Sequence, residues 1–96
     1  MTGETANAVV DRLVDALVPE TDRARVRAVL AQQAGPDALR MRSAIVRLFA
    51  EGRMPLEQAA TLALVNRRDL LTAAGFSEDV ESHREWVDRV LDPGAS

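Results

Sequence analysis

Apolar residues along this chain recur at spacings of three and four and never in strict alternation, the pattern of helices that each bury one face. The clearest case lies near the beginning. Ala6, Val9, Val10, Leu13, Val14, Leu17 and Val18 form one stripe, and Pro19 ends it because proline has no N–H for the next helical hydrogen bond. A second stripe, Val26, Val29, Leu30 and Ala34, is predicted to follow a cap at Thr21 and to stop at Gly35. Pro36 and Asp37 open a third helix, with Leu39, Met41, Ala44, Ile45, Leu48 and Phe49 on its buried side and Gly52 closing it. Pro55 stands where a first-turn proline is tolerated, ahead of a fourth helix whose Leu56, Ala59, Ala60 and Ala63 let a neighbour come close. Asn66 is the expected cap of a short fifth helix, with Asp69 in its first turn, Leu70, Leu71 and Ala74 inside, and Gly75 as its stop. Ser77 is expected to cap a sixth, which carries Val80, His83, Val87, Val90 and Leu91 on one side and ends before Pro93 and Gly94. The pattern predicts an all-α fold, a compact bundle of about six short helices with a helix-turn-helix among them. The connections are short, so residues 1–96 are read as one helical domain, with frayed ends at 1–4 and 92–96.

Composition narrows the function. Aromatics make up only 3% of the chain, so the core must be aliphatic. Cysteine is absent, which removes disulfides, thiolate nucleophiles and cysteine-held zinc. The opening Met1-Thr2-Gly3-Glu4 has no basic n-region, and no apolar run reaches the length of a signal peptide or membrane span. The expected location is the cytoplasm, with no membrane partner.

All twelve basic residues are arginine, and the net charge is -3, which argues against a protein that coats nucleic acid indiscriminately. The charge is unevenly spread. Glu4, Asp11, Asp15, Glu20 and Asp22 dominate the start, and Glu78, Asp79, Glu81, Glu85, Asp88 and Asp92 the end. Between them lie Arg23, Arg25, Arg27, Arg40, Arg42, Arg47 and Arg53. Either these regions neutralise one another or are solvated, or they are complementary surfaces for self-association or a partner. The second alternative marks Arg40, Arg42 and Arg47 as protein-interaction residues, and Trp86, the single tryptophan, is a further candidate as an exposed anchor. For Trp86 the plainer alternative is partial burial against a neighbouring helix.

Catalytic apparatus is not expected. His83 is the only histidine, and its register with Val80 and Val87 places it at the edge of an apolar stripe. Ser82 and Glu81 adjoin it in sequence but point elsewhere on a helix, so no relay forms. No His or Cys grouping suits zinc, no glycine-rich loop follows a strand, and the acids Glu78, Asp79 and Glu81 lack a calcium-loop spacing. The expectation is a non-enzymatic protein without metal or cofactor.

Residues 45–76 carry the most information. A helix, a glycine stop and two short helices in succession have the layout of a helix-turn-helix. Asn66, Arg67 and Arg68 then stand at the start of the second short helix, the end that enters the major groove, where arginine can fork onto guanine or bond phosphate. Glu51-Gly52-Arg53, Pro55-Leu56, Ala59-Ala60, Leu62-Ala63, Asn66-Arg67 and Leu70-Leu71 together resemble a family of small prokaryotic antitoxins paired with PIN-domain ribonuclease toxins. The resemblance implies DNA binding through Arg67 and its neighbours, with toxin binding elsewhere. The family usually carries glycine where Leu64 stands, leaving a left-handed turn residue to be supplied by Asn66. Its members tend to begin with a strand, whereas this chain begins with two amphipathic helices.

The functional expectation is therefore a helix-turn-helix regulator that binds duplex DNA, a protein toxin or both, using Arg53, Asn66, Arg67 and Arg68 on DNA. The alternative is a death-fold-like module, similar to that class in length, helix count and charge layout, that assembles with like domains.

Overall fold

A computed structural model describes residues 6–33, 38–76 and 80–91. It is all-helical: α1 (Ala6–Leu17), α2 (Glu20–Leu30), α3 (Ala38–Ala50), α4 (Leu56–Val65), α5 (Arg67–Ala74) and α6 (Val80–Leu91). The expected breakers Gly35, Pro36, Asp37, Ser77, Pro93 and Gly94, together with both chain ends, lie outside the described residues.

The third helix is the hub, packing against α1, α2, α4 and α5, while α6 lies on α1. The sequence explains the choice. On α3, Met41, Ala44, Ile45, Val46 and Leu48 are all buried, so apolar side chains face several neighbours rather than one. Leu39 and Phe49, expected inside, are half-buried at the edges. Around this hub Val10, Leu13, Val14 and Val18 come in from α1 and its exit, Val26 and Leu30 from α2, Leu56, Ala59 and Ala63 from α4, and Leu70, Leu71 and Ala74 from α5.

Helix ends follow local chemistry. After α3, Gly52 takes φ +70°, its N–H bonds the Phe49 carbonyl, and the Arg53 N–H bonds the Leu48 carbonyl. After α5, Gly75 takes φ +82°, with matching bonds from Gly75 to Thr72 and from Phe76 to Leu71. Both are Schellman closures, in which a left-handed glycine lets the last carbonyls find donors. The second helix departs from expectation. Thr21 is its second residue and not its cap; Pro19 holds the cap position with no side-chain hydrogen bond. Proline needs no N–H there, and its fixed φ already suits the entry. In the same way Pro55 is the residue before α4 and not within its first turn.

The charge asymmetry is consumed between neighbours. Arg27 on α2 reaches Asp15 at 2.8 Å and Asp11 at 3.4 Å on α1, and Arg23 bonds the Asp15 and Val18 carbonyls at 3.0 Å each. The acidic first helix and the basic second helix thus neutralise each other across their shared turn.

Candidate nucleic-acid interface at the α4–α5 tip

Helices α4 and α5 are joined by one residue. Asn66 has φ -149° and ψ 83°, which breaks the helix without entering the left-handed region. Leu64 stays helical, and no non-glycine residue among those described has positive φ. The left-handed turn residue of the resembled family is therefore replaced by a single extended Asn. Its side chain holds the joint on both sides: Oδ1 accepts from the Asp69 N–H at 3.2 Å, and Nδ2 donates to the Asp69 carboxylate at 2.9 Å. This is an N-cap with a reciprocal partner three residues on.

The run 64–69 is exposed throughout, with Ala63 and Leu70 buried on either side of it. Leu64 is 71% exposed and Val65 78%, the large hydrophobics left in water among the described residues. Arg67 and Arg68 follow in the first turn of α5. Two local rules are broken here. Large aliphatic side chains face solvent, and cations stand at the positive end of a helix dipole, which costs about 0.3–1 kcal/mol per charge.

Of the residues expected on DNA, the structure brings Asn66, Arg67 and Arg68 together at this tip and leaves Arg53 out. Arg53 donates to the Ala73 carbonyl at 3.2 Å and pairs with Glu51 at 2.9 Å. Ala73 lies six residues along α5 from Arg67, about 9 Å at 1.5 Å per residue, so Arg53 ties down the far end of the helix. Asn66 is placed as a cap, with both amide atoms engaged.

The residues expected at a protein interface are drawn inward. Trp86 is 5% exposed, which overturns its reading as an exposed anchor. Its ring packs 5.4 Å from that of Phe76, which enters the core directly after the Gly75 turn and offers an apolar face. Arg47 lies over both rings, 5.3 Å from the Phe76 centroid and 5.5 Å from that of Trp86, and also bonds Glu51 at 3.1 Å. It is a strut above the aromatic pair. Arg42 donates to the Gln33 carbonyl, linking α3 to the end of α2. Arg40 is half-buried, and its charge is felt at His83.

His83 is buried, shares a 2.9 Å hydrogen bond with the fully buried Ser43, and meets Phe76 edge-on at 5.1 Å. Burial, then the charge of Arg40, hold its pKa below the ordinary histidine value. Ser43 was missed by sequence reasoning. A serine between Met41 and Ala44 looks solvent-facing until its partner, forty residues away, is known.

A crevice of about 330 Å³ opens between Val10, Asp11, Arg27, Leu30, Ala31 and Arg42. Its acid and one of its bases are already paired, at 3.4 Å. Among the described residues no group of His, Cys, Asp or Glu could hold a metal ion, and no helix is long and apolar enough to cross a membrane. Comparison of the chain with protein-family models, with curated proteins and with solved structures finds no match in any of the three.

Proposed function

We propose that this chain is a non-enzymatic regulator of helix-turn-helix type that binds duplex DNA through the α4–α5 tip, in the manner of the small antitoxins it resembles over residues 45–76. The observation that carries this reading is the tip itself. A one-residue joint presents Arg67 and Arg68 at the start of α5, inside a six-residue exposed run where both burial and dipole rules are broken. Departures from local consistency concentrate at functional surfaces. The first turn of the second helix is also the part of such a motif that meets base edges and phosphates.

Arg67 and Arg68 are the two arginines in the exposed run 64–69, so the basic surface that the tip offers DNA is small. Two arginines neutralising two phosphates give a slope of log affinity against log salt of about -2. Titration of a labelled duplex by anisotropy, at low and at physiological salt, tests this. The Arg67→Ala/Arg68→Ala variant is expected to lose the salt-sensitive binding while keeping its helical circular dichroism. An Arg53→Ala variant is expected to bind like the wild type. Absence of binding at low salt would overturn the proposal.

Homotypic assembly through opposed charged faces draws less support. The acids of α1 and the arginines of α2 already satisfy one another, and Arg42 and Arg47 brace the interior.

A further inference from the structure

We infer that Leu64 and Val65 read thymine C5-methyl groups in the major groove, so that the duplex bound at the α4–α5 tip is a thymine-bearing one. This rests on the DNA-binding reading above. The tip sets two aliphatic side chains, 71% and 78% exposed, directly before Asn66 and two arginines directly after it. The surface that covers such a patch has to be negative and apolar together. The major groove is both: phosphates line its rims, and every A·T pair puts a methyl group on its floor. The minor groove shows no methyl, and G·C pairs carry none.

Asn66 does not supply the alternative means of reading an A·T pair. The bidentate fork of asparagine onto adenine needs both amide atoms, and here Oδ1 accepts from the Asp69 N–H while Nδ2 donates to its carboxylate. Preference at this tip therefore falls to the aliphatic pair. A second copy of the chain is the poorer occupant. A stable dimer buries about 800 Å² per partner, far more than two side chains provide. A two-fold axis through the tip would also set Arg67 and Arg68 against their own images.

The test uses two labelled alternating A·T duplexes, identical except that uracil replaces thymine in one and so removes every methyl. Wild type and a Leu64→Ser/Val65→Ser variant are titrated with each at low salt. Both substituted positions lie in solvent, and a circular dichroism melt checks that the variant folds. The wild type is expected to bind the thymine duplex more tightly, by about fourfold for each methyl buried, and the variant to bind both alike. Equal binding of the two duplexes by the wild type would overturn methyl reading and leave DNA binding standing. A thymine preference retained in the variant would overturn it too, placing the preference in duplex shape. Binding of neither duplex would overturn the DNA reading and this inference with it, leaving an acidic protein segment as the occupant of the tip.

Discussion

His83 and Ser43 form a polar pair inside an otherwise aliphatic and aromatic core, and the pair makes stability depend on pH. The folded state holds His83 neutral, because burial and the Arg40 charge both disfavour the imidazolium. In the unfolded chain the same histidine titrates near 6.5. Above that pH both states are neutral there and nothing is lost. As pH falls below it, the unfolded state takes up a proton that the folded state resists, so stability declines until the folded pKa is reached. The wild-type Tm is expected to fall between pH 7.5 and pH 5 by more than that of a His83→Asn variant, measured side by side. Equal falls would show that carboxylates alone set the acid limit. The pairing was not legible in the sequence, and neither were the packing of Trp86 on Phe76 and the bracing role of Arg47. All three are fixed by contacts between distant segments, chiefly Phe76 arriving between α3 and α6, and periodicity within one helix carries no record of such contacts.

At the level of elements, the helices and their stops were largely legible, because each is decided by a few adjacent residues. Gly52, Asn66 and Gly75 do locally what their chemistry predicts. The misplaced cap at Thr21 arose where two local signals competed, a hydroxyl and the proline two residues before it, and the fixed φ of proline prevailed. The two glycines permit a sharp prediction. Neither site is crowded: a Cβ at Gly52 would meet nothing within 4 Å, and one at Gly75 would meet only Arg47 Nη1 at 3.7 Å, an ordinary contact. The penalty for Gly52→Ala or Gly75→Ala is then that of a left-handed residue alone, about 1–2 kcal/mol at either position. Urea denaturation of the two variants checks it, and a much larger loss at Gly75 would mean that Arg47 cannot yield. Within the tip, the two arginines and the Asn cap were readable. The exclusion of Arg53 was not, since its partner Ala73 is set by how α5 folds back.

For the molecule as a whole, one buried cluster takes residues from all six helices, from Val10 on α1 to Trp86 on α6. With no second core among the described residues, the helices are expected to melt together. Far-ultraviolet circular dichroism and Trp86 fluorescence should give coincident denaturation curves, and an earlier loss of the fluorescence signal would show that α6 separates first. That cluster excludes the whole run 64–69, which leaves a division of labour between positions that hold the fold and positions that face outward. Of those six residues Asn66 and Asp69 serve both, since they hold each other at the joint. Leu64, Val65 and Arg68 can change under selection with little cost to stability, so a lineage of such chains can exchange one binding preference for another without passing through unfolded intermediates.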